Sequence, residues 1–140
     1  MDDLRSYVKL IRMGRPQFIE VKGVTFCGSS DASDLTMKNV PFHEEVRSFC
    51  QDLCAELGED YALACEHAHS CCVLIAHKMF LIEGKWHTWI NYERFHDLVQ
   101  SGEEFGSLDY LAPTPEWALF GDERAGFDPE ETRFYRKNKH

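Results

Sequence analysis

The sequence predicts an α/β fold, and three observations predict it. Apolar residues recur at helical spacing over 4–11 and again over 46–57, and a short strand-like run follows each, at 17–24 and 61–65. A further strand pattern at 71–76 and a hairpin pattern at 79–90 extend the sheet. Beyond residue 102 the periodicity stops, which predicts an extended C-terminal segment. With 140 residues, 44% hydrophobic and 13% aromatic, the chain suffices for one domain with a core of its own.

Leu4, Tyr7, Val8 and Ile11 lie on one helical face behind Asp2 and Asp3, whose charges suit a helix N-terminus; Gly14-Arg15-Pro16 ends the helix. In the strand that follows, Ile19 and Val21 point one way while Phe18, Glu20, Lys22 and Val24 point the other. An acid two residues from a base is costly to bury unpaired. Glu20 and Lys22 therefore either face water or line a polar interior such as a barrel lumen or cleft. Gly23 and Gly28 allow a sharp turn at the strand's carboxyl end, and the polar stretch 25–39 reads as a long loop there.

Pro41, Glu44 and Glu45 open the next helix, whose face of Val46, Phe49, Cys50, Leu53, Cys54 and Leu57 runs to Gly58. Strand, loop, helix and strand over 17–65 predict two parallel strands joined by a right-handed crossover. Glu66-His67-Ala68-His69-Ser70 reads as a polar turn before the third strand, and Glu83-Gly84 as the bend of a hairpin. Asn91 caps a last helix with Tyr92, Phe95, Leu98 and Val99 inward. From residue 103 onward, aromatics separated by Pro113, Pro115, Gly121, Gly126 and Pro129 suit an extended strap pinned to the body.

Composition excludes several classes. No apolar run approaches the roughly 20 residues of a membrane span, and Met1-Asp2-Asp3 is not the start of a secretory signal, so a cytoplasmic protein with no membrane partner is expected. The six cysteines sit in apolar patterns and read as thiols. A net charge of −9 argues against general nucleic-acid coating, yet Arg133, Arg136, Lys137 and Lys139 make the C-terminus basic, either as a solvated tail or as an RNA contact. Zinc ligation by the cluster Cys65 to Cys72 is disfavoured by its spacing, and no metal site is expected. Trp86-His87-Thr88-Trp89 is either a packing pair or a base-stacking surface. Phosphate loops, nucleophile elbows and dinucleotide fingerprints are missing from the sequence.

Five ordered blocks carry a specific resemblance. Phe18-Ile19-Glu20-Val21-Lys22-Gly23-Val24-Thr25, Leu35-Thr36-Met37 with Val40-Pro41-Phe42-His43-Glu44-Glu45-Val46, Ala64-Cys65-Glu66-His67-Ala68-His69-Ser70 with Cys72-Val73-Leu74-Ile75-Ala76, Trp86-His87-Thr88-Trp89-Ile90, and Thr114-Pro115-Glu116-Trp117-Ala118-Leu119-Phe120-Gly121 with Gly126-Phe127-Asp128-Pro129 resemble the C-terminal region of eukaryotic tRNA 4-demethylwyosine synthases. The resemblance implies a radical S-adenosylmethionine lyase of wybutosine biosynthesis that joins N1-methylguanine of phenylalanine tRNA to carbons of pyruvate. It also implies an incomplete (β/α)6 barrel, a 4Fe-4S cluster on a Cys-x3-Cys-x2-Cys loop, and an N-terminal flavodoxin-like portion carrying FMN.

This chain has no such cysteine loop. The expectation is a fragment or truncated paralogue, inactive alone and without cofactor of its own, with the last barrel units in 1–78 and the wyosine-specific region with its basic tail in 79–140. Under that reading Lys22 and Glu20 line the catalytic pocket, with Glu66, His67 and His69 beside them. Trp86, Trp89, Arg133, Arg136, Lys137 and Lys139 would contact tRNA. The other reading is a stand-alone, non-catalytic RNA-binding module.

Overall fold

The computed structural model describes residues 2–24, 28, 36, 38 and 40–131. Helix α1 (Asp2–Gly14) leads into strand β1 (Phe18–Lys22), helix α2 (His43–Leu57), strand β2 (Tyr61–His67) and strand β3 (Cys72–His77). Two-residue strands β4 (Leu81–Ile82) and β5 (Lys85–Trp86) form a small hairpin, while β6 (Trp89–Ile90) pairs with β7 (Leu111–Ala112) across helix α3 (Tyr92–Ser101).

The main sheet has the order β1-β3-β2, with β3 antiparallel to both neighbours. Strands β1 and β2 therefore run in the same direction, as the strand-helix-strand pattern predicts, but they are not hydrogen-bonded to each other. β3 returns through the tight turn Ala68–Cys71 and inserts between them. Periodicity carries strand direction but not the identity of the neighbour, and a short turn makes the antiparallel return easy.

Helices α1 and α2 cover one face of this sheet. Val8, Ile11, Val46, Cys50, Leu53 and Leu57 pack onto Val73, Ile75 and Tyr61, with Ile19, Val21 and Leu63 partly buried beside them. The two helical faces are the ones that the 3.6-residue spacing predicts, except that Tyr7 is exposed and only meets Phe49 edge-on at the margin of the helix pair. Glu45 accepts a 2.7 Å hydrogen bond from the Phe42 amide at the start of α2. Tyr61 donates its hydroxyl to the Pro16 carbonyl at 2.7 Å, tying β2 to the α1–β1 turn.

Gly23 works differently from expectation. Its φ is not positive, and what the site needs is the missing side chain: a Cβ there would stand 3.0 Å from Pro41 Cγ and 3.1 Å from Cys71 Cβ. The Gly23 amide donates to the Cys71 carbonyl at 2.8 Å, so the end of β1 is clamped against the β2–β3 turn.

The hairpin and the last helix also differ in detail. Glu83 and Gly84 take positive φ in the β4–β5 turn, but Trp89 and Ile90 leave the hairpin for β7. In α3, Asn91 caps as expected by accepting from the Arg94 amide at 3.1 Å, and Phe95 stacks edge-on with Tyr110 and Phe105. Tyr92 and Val99 are exposed rather than inward, because α3 lies on the short segment 105–110 and buries only a narrow stripe.

Candidate functional site

The register of the main sheet defines the site. Residues directly opposite one another in a ladder share a face. One row across the strands is Lys22, Cys72 and His67; the next is Glu20, Leu74 and Cys65; the third is Phe18, Ala76 and Ala62. All lie on the face away from the helices. Phe80 caps the third row, stacked on Phe18 with ring centroids 4.5 Å apart. The first two rows carry the polar and nucleophilic groups.

Glu20 and Lys22 thus occupy the face that alternation assigns to them, and both are exposed. Between Lys22 and His67 stands Cys72, which the sequence reading takes only as a residue of a buried strand. Its thiol donates to Glu20 Oε1 at 3.3 Å. Burial first, and then this contact with the Glu20 carboxylate, push the thiol up to about 11. Cys72 is a proton-holding neighbour of Glu20 rather than a thiolate. Counting alternate residues outward from the Ala68–Cys71 turn would have found it, since that turn fixes Cys72 opposite His67.

His67 is held in place by Ser70, whose hydroxyl lies 2.6 Å from Nδ1, and its ring packs 5.5 Å from that of Phe127. His69 is exposed on the turn, 6.0 Å from the same Phe127 ring. The strap that brings Phe127 there depends on Gly126. Its φ is +88°, and a Cβ would collide with the Glu66 carbonyl oxygen and stand 2.7 Å from His67 Cα. Two hydrogen bonds fix the approach, from the Ala68 amide to the Ala125 carbonyl and from the Gly126 amide to the Trp117 carbonyl, both 2.9 Å.

Glu66 does not join this group. It opposes Val73 in β2, so its side chain enters the helix side of the sheet and is buried there. Arg47 Nε of α2 lies 2.9 Å from Glu66 Oε2, and His43 Nε2 lies 3.7 Å away. The Arg47 contact is short but not aligned as a hydrogen bond, so attraction between charges holds it. The Arg47 guanidinium also sits 4.6 Å from the centroid of the Phe120 ring. Glu66 is therefore a tie between α2, β2 and the C-terminal strap. An acid that ends a buried strand requires a cation nearby, and that requirement was the available signal for Arg47.

The tryptophans part company as well. Trp86 lies in the β4–β5 hairpin, where its carbonyl accepts from the Thr114 amide at 2.9 Å. Trp89 reaches over the sheet. Its ring meets Trp117 edge-on at 5.7 Å, and the two indoles wall a cleft of 270 Å³ floored by Cys65, Cys72 and Leu74. Thr88 anchors this segment by a 2.7 Å contact between its hydroxyl and that of Thr114, and by Cys65 Sγ at 3.6 Å. Trp117 carried no periodic signal in the sequence, only its place after Pro115. Arg133, Arg136, Lys137 and Lys139 lie outside the described residues, as do Cys27 and most of the 25–39 loop.

The described residues do not fit an iron–sulfur cluster. A cluster ligand must be a thiolate. Burial pushes Cys50 up to about 12 and Cys54 up to about 11, and it raises Cys65 as well. Among the described residues no group of three or more His, Cys, Asp or Glu is placed to hold a metal ion. No described helix is long and apolar enough to cross a membrane.

Residues 13–77, which contain β1, α2, β2 and β3, match the family model for wyosine base formation. The matched residues include Glu20, Lys22, His67 and Cys72, the polar part of the open face, together with the Glu66–Arg47 tie behind it. The similarity extends past residues 13–77. The chain is 59% identical to an S-adenosyl-L-methionine-dependent tRNA 4-demethylwyosine synthase of Xenopus laevis, 54% to one of Oryza sativa subsp. japonica and 53% to one of Homo sapiens, in each case over 99% of the chain. It spans about a fifth of the length of these relatives, 20% of the Xenopus and human proteins and 21% of the rice protein.

Proposed function

We propose that this chain is the C-terminal part of a tRNA 4-demethylwyosine synthase, in which the wyosine base formation domain contributes wall and pocket to a site completed by the rest of the enzyme. The observation that carries the reading is similarity to the named synthases over 99% of the chain, rather than over one motif. The sheet has helices on one side and Glu20, Lys22 and Cys72 on the other, and in this reading the open face is the lumen side of an incomplete (β/α)6 barrel, from whose parallel neighbours the antiparallel β3 between β1 and β2 is a departure. The complete enzyme acts as a lyase on phenylalanine tRNA and pyruvate. Its S-adenosylmethionine, 4Fe-4S cluster and FMN belong to segments other than the residues described in this chain.

Within that site we assign each side chain a task. The Lys22 ammonium, exposed on the open face, holds a carboxylate such as that of pyruvate. Glu20 stands two residues away on the same face. Cys72 donates a hydrogen bond to Glu20 Oε1 and so leaves the other carboxylate oxygen available. His67, locked by Ser70, borders the same row. Arg133, Arg136, Lys137 and Lys139 supply charge for the tRNA backbone.

A replacement experiment tests the reading. The corresponding fifth of the human synthase is exchanged for this chain, and formation of the tricyclic base in phenylalanine tRNA is measured in cells lacking their own enzyme. Restored base formation is the expected result. A stable chimera that binds tRNA but forms no product would instead favour a non-catalytic module.

A further inference from the structure

The cleft between the sheet and the two indoles has a character different from that of the Glu20–Lys22 end. Its walls and floor are Cys65, Cys72, Leu74, Thr88, Trp89 and Trp117. The Glu66 side chain turns to Arg47 on the helix side, and Glu20 stands at the edge of the cleft, where its Oε1 accepts from the Cys72 thiol. The His67 ring at its border is engaged by Ser70. The Thr88 hydroxyl is taken by Thr114 and Cys65. Burial keeps the Cys65 and Cys72 thiols protonated. An anion such as a small carboxylate gains nothing there, whereas a neutral flat ring gains a large apolar contact.

Trp89 is 45% exposed although it sits in a paired strand. Trp117 meets it edge-on, at 78° between ring planes, which holds the indole upright and leaves it free to stack. Lys22 stands directly opposite Cys72 in the ladder, and so at the rim of the cleft. Aromatic stacking of this kind is how proteins hold unpaired bases.

We infer that the cleft bounded by Trp89 and Trp117 is a stacking site for one unpaired, neutral nucleobase of the RNA, beside the Glu20–Lys22 end rather than at it. Trp89 is the platform and Trp86, which does not line the cleft, has no part in it. The inference rests on the tRNA reading above and assigns it a residue and a mode of contact.

The test uses the full chain and an anticodon stem-loop of phenylalanine tRNA carrying 2-aminopurine at successive loop positions. Binding is expected to quench one position by stacking. Trp89→Leu, which keeps apolar bulk without a π face, is expected to weaken affinity about tenfold and to abolish that quenching. Trp89→Phe retains most of both, and Trp86→Leu changes neither. Circular dichroism of each variant establishes that it is folded. If wild type and Trp89→Leu bind the stem-loop equally, the stacking site is overturned while the tRNA reading stands. If the wild-type chain shows no quenching at any position, the inference is likewise overturned, and the chimera assay decides the tRNA reading separately.

Discussion

Replacing Gly126 with alanine should detach the C-terminal strap from the sheet. The new Cβ would collide with the Glu66 carbonyl oxygen and lie 2.7 Å from His67 Cα, and both neighbours are backbone atoms that cannot rotate away. The φ of +88° adds strain of about 1–2 kcal/mol for an L residue. Relief requires lifting 125–127 off β2, which breaks the Ala68–Ala125 and Gly126–Trp117 hydrogen bonds, each worth about 1 kcal/mol net. The expected loss is about 3 kcal/mol, or a fall of ~10 °C in melting temperature. Gly121→Ala is the internal control, since its φ is +89° but nothing lies within 4 Å of its Cβ. It should show the strain alone. Thermal unfolding followed by circular dichroism measures both, and hydrogen exchange at the Ala68 amide reports the strap directly. If Gly126→Ala costs no more than Gly121→Ala and the Ala68 amide stays protected, the close approach is not a structural constraint and the reasoning fails.

Other outcomes follow from the same geometry. Arg47→Met leaves Glu66 buried without its nearer cation and should destabilise by about 2–3 kcal/mol; Arg47→Met with Glu66→Gln should recover much of that loss, and a double-mutant cycle in urea measures the coupling. Tyr61→Phe removes the donor to the Pro16 carbonyl and should cost about 1 kcal/mol by the same denaturant titration. The buried thiols set an alkaline limit. Cys50 is raised from its ordinary value near 9 to about 12, and Cys54 and Cys72 to about 11, so the folded state holds these protons more tightly than the unfolded chain. That contribution is complete below pH 9 and is lost as pH rises through 11–12. Melting temperature should therefore fall across that window, and Cys50→Ala should flatten the fall. A fall equally steep in Cys50→Ala would assign it to other groups.

The helices and the faces of the strands were legible in the sequence because their signals are local. Val8 and Ile11, and Cys50, Leu53 and Leu57, stand where helical spacing puts them, and Glu20 and Lys22 lie opposite Ile19 and Val21 as alternation requires. What was not legible depends on contacts between distant residues. The insertion of β3 between β1 and β2 follows from which edge the Ala68–Cys71 turn leads to, and no period in the sequence records an edge. Glu66 reads as part of a polar turn because its partners Arg47 and His43 are some twenty residues away on α2. Trp89 and Trp117 meet only because β6 leaves the hairpin for β7, a pairing of two residues on each side that is too short to announce itself. Gly126 is a glycine among turn residues until the strand beneath it is in view.

The central claim is that the open face of the β1-β3-β2 sheet is the working face. Lys22→Met in the chimeric synthase that carries this chain tests it most directly, with formation of the tricyclic base measured on phenylalanine tRNA at saturating and limiting pyruvate. The methionine keeps the length of the side chain and removes its charge. The account predicts base formation reduced at least tenfold at limiting pyruvate, with the protein folded and tRNA binding retained. Unchanged turnover at both pyruvate concentrations would contradict it.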